Sequence, residues 1–391
     1  NHKQMEATVE YTTEKYQLVA GYYGSFLGTK QNALTVVPGT NTALVTASLS
    51  PIALAPDNSV QQFYVTGAYN FSKDTRANLK VAWSEGRQDD AFLVGQPTLA
   101  GIGGNLNAKV QNTEVYSAIT SRVTRDLKLL ASWRYEDRQD KTPVRLFGTT
   151  TSSGVTTNYY NNPESHTANW GKLEANYRLG AGFNLTGGFD YTNKSSKEWE
   201  RHDVSELTSR IAVSRSMGES LNGTLSFSHA ERKGSEWNHG TTPPILPVYL
   251  ADRNRDRVRG MLDLAATENL NIQFAYEAYF EDYNKSTYGL DKGQGQIFSV
   301  DGSYAISDVW KLNAWYTKQN GETRQYAQGA VCTTGNSSNC TVNTFRTGTL
   351  VQWDANLKQD SDQFGLGLNG RISRVDVGAQ LLIYQDVNAM K

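Results

Sequence analysis

Apolar and polar residues alternate along nearly the whole chain, with the period of two that is expected of β-strands. In residues 63–71 the odd positions are aromatic, aliphatic or glycine, and the even positions are mostly polar or small. A polar stretch follows at residues 72–75, and residues 77–84 then continue the alternation. The two runs and the stretch between them predict an antiparallel β-hairpin.

The same hairpin unit recurs along the chain, about eight times in all, which predicts about sixteen strands. The predicted turns are short and lie at Thr13-Glu14, 72–75, 124–126, 180–182, 218–220, Glu268-Asn269, Ser307-Asp308 and Ser373-Arg374. The connections between hairpins are long and rich in Gly, Ser, Thr, Asn and Pro, at residues 29–59, 89–112, 138–166, 231–254 and 321–347. Short turns on one side and long loops on the other are typical of outer-membrane barrels.

The fold class expected from this layout is all-β: a large antiparallel transmembrane β-barrel of the outer-membrane type. Its turns would be periplasmic and its long loops extracellular, and residues 1–391 would form a single barrel domain. Several strands exceed the 5–6 residues usual in globular sheets, and aromatic residues cluster near both strand ends. A large soluble β-sandwich or propeller is the alternative, but it explains neither the loop asymmetry nor the strand length.

Composition fits a barrel with a polar lumen. The chain of 391 residues carries 38 Lys+Arg against 39 Asp+Glu, which gives no support for nucleic-acid binding. Mean hydropathy is −0.55, and no run approaches the roughly 18 apolar residues of a transmembrane helix. Because the chain begins at Asn1 without a signal sequence, we expect either a removed signal peptide or a start upstream of the given residues.

Charged residues within the strands predict which face meets the lumen. A lipid-facing Lys or Arg at mid-depth would cost about 2–4 kcal/mol, so charged strand residues should point inward. The lumen-facing candidates are Lys80, Arg134, Glu174, Arg259, Asp263, Glu277, Asp301 and Lys358. Since both signs of charge are present, we do not expect a strongly ion-selective pore.

Motifs for catalysis or metal binding are weak. The five histidines are scattered and form no His-x-x-x-His pair, so no catalytic, cofactor-binding or metal-binding residues are assigned. Cys332 and Cys340 lie in a loop-like stretch and are a candidate disulfide, with two free thiols as the alternative. Neither belongs to a Cys-x-x-Cys-His haem-attachment motif.

One stretch is more specific than a general barrel. Residues 56–93 resemble the MtrB/PioB family of decahaem-associated outer-membrane proteins, with weaker copies of the motif at residues 121–144 and 302–325. The matching positions are Pro56-Asp57-Asn58, Tyr69-x-Phe71-Ser72, Thr75-Arg76 and Gln88-Asp89-x-x-Phe92-Leu93. Two features depart from the family pattern: the Cys-x-x-Cys near the mature N-terminus is missing, and no aromatic residue closes the last strand.

The resemblance implies a bacterial outer-membrane sheath, not an enzyme, that encloses and positions a periplasmic multihaem (decahaem) c-type cytochrome. Such a pair forms a transmembrane conduit for extracellular electron transfer, in metal reduction or oxidation, and an extracellular multihaem cytochrome is a further implied partner. Haem c would be carried by the partner, and this chain would hold no cofactor. The alternative functions are a porin or receptor-type transport barrel, or an outer-membrane hydrolase with a catalytic triad at the rim.

Barrel dimensions bear on the expected length of the protein. Sixteen strands about 4.8 Å apart, tilted about 40°, would close into a barrel about 32 Å across, and side chains would leave roughly 20 Å. That space is tight for a folded cytochrome, whereas about twenty-six strands would give roughly 50 Å. We therefore expect these 391 residues to be an incomplete portion of a longer barrel.

Overall fold

The computed structural model describes residues 1–34, 52–93, 104–152, 155–237, 248–283, 289–330 and 350–390. Within these ranges most residues belong to β-strands, and the only helix is a single 3-10 turn at Val248–Leu250. No helix in the described ranges is long and apolar enough to cross a membrane.

Twenty strands lie within the described ranges. Sixteen of them form one sheet and follow one another in chain order. In chain order the strands are β1 (His2–Thr12), β2 (Tyr16–Leu27), β3 (Ala33–Leu34), β4 (Ile52–Ala53), β5 (Asn58–Ser72), β6 (Thr75–Gln88), β7 (Ala108–Arg122), β8 (Leu127–Asp140), β9 (Leu146–Ser152), β10 (Val155–Tyr160), β11 (His166–Gly180), β12 (Phe183–Ser195), β13 (Asp203–Met217), β14 (Leu221–Gly234), β15 (Arg253–Thr267), β16 (Leu270–Asp282), β17 (Gly289–Ala305), β18 (Lys311–Ala330), β19 (Leu350–Ile372) and β20 (Val375–Met390). The remaining four pair as small two-stranded sheets, β3 with β4 and β9 with β10.

The eight predicted turns are confirmed, because each lies between two consecutive long strands. In the hairpin of β5 and β6, Ser72 lies opposite Thr75, and the amide of Asp74 donates to the Ser72 hydroxyl at 3.2 Å. A serine at the start of a tight turn satisfies the backbone in this way.

The strands are longer than the alternation predicted. Residues 321–347 were expected to form a loop, but β18 continues to Ala330 and β19 begins at Leu350. The Gly, Glu and Ala residues of this stretch have weak strand propensity, yet their backbones pair with the next strand, as Gly321 does with Gln359. The prediction of a loop across residues 321–330 is therefore wrong.

Glycine is required at the turn between β11 and β12. Gly180 and Gly182 have φ angles of 85° and 80°, in the left-handed region that favours glycine. At Gly182 a Cβ atom would lie 2.6 Å from the carbonyl oxygen of Ser216. Any side chain at Gly182 would therefore separate this turn from the neighbouring strand.

Three aromatic rings each cover a glycine directly opposite on the next strand. A Cβ atom at any of these glycines would overlap the ring. The pairs are Tyr64 on Gly21, Tyr279 on Gly295, and Trp315 on Gly365. In each pair the ring occupies the space where a Cβ atom of the glycine would lie, so the large side chain stays close to the sheet.

Burial differs from that of a soluble sandwich. Among the described residues, most buried apolar side chains are alanines, and no large side chain is fully buried. Many large apolar side chains are instead exposed, including Leu225 at 62% and Phe189 at 53%. A soluble protein would bury such residues in a core, so this pattern disfavours the soluble alternative.

The chain divides into two compact units. The first comprises Asn1–Thr120, Ser132–Trp170 and Lys194–Glu198, and the second comprises Ser121–Ala131, Gly171–Asn193 and Trp199–Lys391. The expectation of a single barrel domain over residues 1–391 stays a prediction.

Candidate functional surface

The second unit has one polar face, which the register of its strands defines. Arg210 lies opposite Ser228, which lies opposite Arg257, and Arg257 lies opposite Tyr279. Residues two apart along a strand share a face, so this register extends to whole columns of side chains. The charged members of this polar face on β13–β17 are Glu206, Arg210, Arg232, Arg253, Arg255, Arg257, Arg259, Asp263, Glu277, Glu281 and Asp301.

The opposite face of the second unit is apolar in its middle part. Ile211 lies opposite Phe227, and Phe227 lies opposite Val258. Exposed aliphatic and aromatic side chains continue this apolar face on β16–β20, as at Phe274, Phe298, Phe364, Leu366, Leu381 and Ile383. An apolar band of this kind next to a polar face is the arrangement of transmembrane β-strands.

Toward the loops, the side chains of the apolar face become charged on β18 and β19. Lys318 pairs with Asp362 at 3.3 Å, and Arg324 pairs with Asp354 at 2.8 Å. Lys358 pairs with Glu322 at 3.5 Å. The sequence assigned Lys358 to the lumen, but it shares its face with Phe364 and not with the polar residues. Its grouping with the other lumen candidates is therefore wrong, because strands that continue past an apolar band carry charge on both faces.

Two of the predicted lumen residues meet in the first unit. Lys80 of β6 and Arg134 of β8 both contact Glu114 of β7, at 3.3 Å and 3.1 Å. Arg134 also pairs with Glu136 at 3.1 Å and lies 4.8 Å from the centroid of the Trp170 ring. The opposite face of β6 carries the exposed side chains Leu79, Val81 and Trp83.

A second group of ion pairs centres on Arg210 in the second unit. Its guanidinium contacts Glu174 at 2.9 Å and Asp190 at 2.6 Å. Lys172 completes the group by contacting Glu174 at 3.1 Å. Glu174 was predicted from the sequence, whereas Arg210 and Asp190 were missed. Each of them lies an even number of residues from other polar-face positions on the same strand. That spacing is the sequence signal that could have assigned them to the polar face.

A column of arginines follows β15 on the polar face. Arg253, Arg255, Arg257 and Arg259 occupy alternate positions, and we call them the arginine column. Arg253 bridges Glu206 and Glu281 at 2.9 Å and 3.0 Å. Arg255 contacts Glu281 at 3.4 Å, and Arg257 contacts Glu277 at 3.2 Å. The predicted residues Arg259 and Glu277 thus belong to one cluster.

Nearer the turns, the polar face becomes acidic. Asp263 accepts a hydrogen bond from the Gln273 amide at 2.5 Å, and Gln273 lies opposite Asp301 in the register. Both acids line an open cavity of about 420 Å³ together with Asn222 and Trp315. The polar face of this unit therefore runs from arginine-rich near the loops to acidic near the turns.

The family-like motif joins loops in the first unit. Asp57 accepts hydrogen bonds from the Thr29 amide at 2.6 Å and the Thr29 hydroxyl at 2.9 Å. Its own amide donates to the Asp90 carboxylate at 3.2 Å. These two bonds from Thr29 hold the pKa of the Asp57 carboxyl below its usual range. The rings of Phe92 and Phe147 meet edge to face, with centroids 5.8 Å apart.

Arg201 joins the loop ends in the second unit, and the sequence gave no sign of this role. Its side chain is buried and pairs with Asp252 at 2.7 Å. It also donates to the carbonyl oxygens of Gly234, Ser235 and Leu250 at 2.6–2.9 Å. These partners lie 33 to 51 positions away in the chain, so no local pattern could reveal them.

Two further predictions concern metals and cysteines. In the described ranges, no group of three His, Cys, Asp or Glu side chains is arranged to hold a metal ion. Cys332 and Cys340 lie outside the described residues, so their candidate disulfide stays a prediction.

Comparison with known proteins identifies the family. Residues 1–389 match the family described as "Putative outer membrane beta-barrel porin, MtrB/PioB". The chain belongs to the MtrB/PioB family. A curated relative is "Outer membrane protein MtrB" of Shewanella baltica (strain OS185), which is 26% identical over 333 residues. That match covers 82% of this chain and 47% of the relative, so the chain spans about half the length of the relative that it matches.

Solved structures agree on the fold of this MtrB/PioB chain. The ferripyoverdine receptor of the Pseudomonas aeruginosa outer membrane aligns with a TM-score of 0.59 at 10% identity, covering 99% of this chain and 55% of the receptor. The outer-membrane transporter YddB of Escherichia coli aligns with a TM-score of 0.54 at 10% identity, covering 100% and 55%. The expected fold class is confirmed: the chain is an antiparallel outer-membrane β-barrel protein.

Proposed function

We propose that this chain is part of an outer-membrane sheath that encloses a periplasmic multihaem c-type cytochrome and holds it in place for electron transfer across the membrane. The observation that carries the proposal is the polar face with its paired charges of both signs, in a member of the MtrB/PioB family. The relative named outer membrane protein MtrB supports the same role.

The two faces of the sheath would contact different surroundings. The apolar face, with side chains such as Leu225 and Phe227 exposed, would contact lipid, where burying those side chains is favourable. The polar face would line the lumen, and the lumen candidates other than Lys358 would face the cytochrome. Because acidic and basic groups are interspersed there, the lining suits a folded protein with its own charge pattern better than one class of ion.

Electron transfer in this proposal depends on chemistry that the partner supplies. The haems of the cytochrome would carry the electrons, and the sheath would keep lipid away from them and fix their height in the membrane. No residue of this chain changes oxidation state in this role, so the protein acts as a scaffold and not as an enzyme. The loop ends, which Asp57 and Arg201 join within each unit, are the parts available to an extracellular multihaem cytochrome.

A transport barrel is the second candidate. The family description uses the word porin, and the structural neighbours include a receptor bound to ferripyoverdine. An open or ligand-gated lumen would need no protein inside it. The two functions therefore differ in what occupies the lumen.

Gentle purification of the full protein that contains this chain separates these functions. From outer membranes of the native bacterium, a sheath should copurify with haem absorbance and a multihaem cytochrome in a fixed ratio. In a planar bilayer the purified complex should conduct little current, and conductance should rise once the cytochrome is removed. Intact barrels without any haem protein, which conduct as isolated, would overturn the proposal in favour of transport.

A further inference from the structure

The arginine column on β15 carries more positive charge than its surroundings balance. Arg232 of β14 lies opposite Arg253 in the register, which places a fifth guanidinium at the same end of the polar face. Alternate residues of a strand are only about 6.8 Å apart, so these like charges repel one another.

Among the described residues, three carboxylates form ion pairs with members of this group of five arginines: Glu206, Glu277 and Glu281. Arg232 uses its hydrogen bonds on the carbonyl oxygens of Ala251 and Val248, at 2.7 Å and 2.8 Å. The local excess of positive charge is therefore two, from five arginines and three glutamates. The nearby acids Glu174 and Asp190 do not reduce it, because the two cations Arg210 and Lys172 balance them.

The excess is concentrated at one end of the column. Arg253 is largely buried, with 14% of its side chain exposed, and its two glutamates fix it in place. Arg257 is 40% exposed and has one partner, Glu277. Arg259 is exposed, and no carboxylate among the described residues lies within 4.0 Å of it. The arginines with the fewest carboxylate partners thus lie at the end of the column farther from the loops, near the middle of the strand.

From this arrangement we infer that Arg257 and Arg259 bind carboxylates of the enclosed cytochrome. The inference rests on the function proposed above and names the contact through which the partner is held. A guanidinium offers parallel donors that match both oxygens of a carboxylate, which is why arginine suits such contacts better than lysine. The carboxylates are either propionates of a c-type haem or Asp and Glu side chains of the cytochrome.

The test compares two double variants of the full protein, purified with its cytochrome. Arg257→Gln/Arg259→Gln removes the proposed contact. Lys292→Gln/Lys318→Gln removes the same charge from the opposite face. Lys318 pairs with Asp362, and Lys292 has no ion-pair partner among the described residues, so this control also combines one paired and one unpaired cation. Haem retained per barrel is measured as salt is raised. Because the arginine variant loses charge-assisted hydrogen bonds, its affinity for the cytochrome should fall by about tenfold or more. The affinity of the lysine variant should match that of the wild type.

Haem reduction potentials in the retained complex distinguish the two sources of carboxylate. Losing a positive charge beside a propionate favours the oxidised haem, so Arg259→Gln at low salt should lower the potential of one haem. Unchanged potentials with weakened binding assign the contact to acidic side chains. Arg259→Lys, which keeps the charge, should restore part of the affinity and shows that the barrel folds.

Two outcomes overturn the inference in different ways. If the wild type retains its cytochrome and the arginine variant retains it equally at every salt concentration, the inference is wrong and the sheath proposal stands. If the wild type carries no cytochrome at all, both are wrong.

Discussion

Placing the same charge on two adjacent residues of β14 tests the assignment of the faces. Leu225 lies on the apolar face, is 62% exposed, and has Val213 and Gly260 opposite it on the neighbouring strands. Thr224 is the preceding residue and lies on the polar face. An arginine at either position lies at nearly the same depth along the strand, so the difference between the two variants reports the face once the loss of the leucine side chain is subtracted.

The expected cost for Leu225→Arg is the sum of two contributions. An arginine facing lipid near mid-depth costs about 2–4 kcal/mol. Burying a whole leucine side chain is worth about 1.5–3 kcal/mol, and since 62% of this residue is exposed to the proposed lipid, its loss adds about 1–2 kcal/mol. The total of about 3–6 kcal/mol weakens folding by roughly a hundredfold to ten-thousandfold. Thr224→Arg should cost less than about 1 kcal/mol, because lumen water would solvate the charge.

Urea titrations of folding into lipid vesicles measure both costs, with tryptophan fluorescence and the gel mobility of the unheated barrel as readouts. Leu225→Ala gives the leucine contribution separately, and subtracting it isolates the cost of the charge. Equal losses for Leu225→Arg and Thr224→Arg would refute the assignment of lipid and lumen to the two faces.

Two further predictions concern the loop ends. Arg201→Met removes a buried cation and leaves Asp252 without its ion-pair partner, so local opening should become about 3–5 kcal/mol easier. Amide exchange in residues 231–237 should then be roughly a hundredfold faster or more. Exchange in Arg201→Lys should be intermediate, and unchanged exchange in Arg201→Met would contradict the role of Arg201. For Asp57, whose pKa is lowered in the folded protein, the stabilisation is present above the unfolded value of about 3.9 and is lost as pH falls through the folded value. Acidification below about pH 4 should therefore reduce the protection of the Thr29 amide, corrected for intrinsic exchange, and Asp57→Asn should remove this dependence on pH. A wild-type protein whose Thr29 protection does not change in that range would show that the bond is not formed in solution.

The strands and turns could be predicted from the sequence because their causes are local. Alternation identifies a strand within a few residues. Chain reversals can be predicted from the conformational preferences of single residues, such as glycine at positions 180 and 182 and serine at position 72. The strand ends were less accurate, since pairing between β18 and β19 extends into residues that would not form strands alone.

The site could be predicted only in part, because charge and face are separate properties. Glu174 and Arg259 were identified from the rule that charges avoid lipid, and Lys358 was misplaced by the same rule. The rule applies only at the depth of the apolar band, and a single sequence does not reveal where that band ends. Arg201 was missed because its partners come from two distant parts of the chain, residues 234–235 and 250–252.

The rings that cover glycines have a consequence for how this sheet reaches its correct alignment. A slip of one residue between strands is rejected at once, because it would turn every apolar side chain to the wrong side, but a slip of two residues keeps the faces intact. At Tyr64, a slip of two in either direction would bring a residue with a Cβ atom beneath the ring, Val19 or Tyr23 in place of Gly21. At Tyr279 and Trp315 only one direction does so, by bringing Ile297 or Gln363 beneath the ring, because the other direction brings Gly293 or Gly367. The contact at Tyr64 therefore disfavours a slip of two residues between β2 and β5 in both directions. The contacts at Tyr279 and Trp315 each disfavour one direction of slip, between β16 and β17 and between β18 and β19.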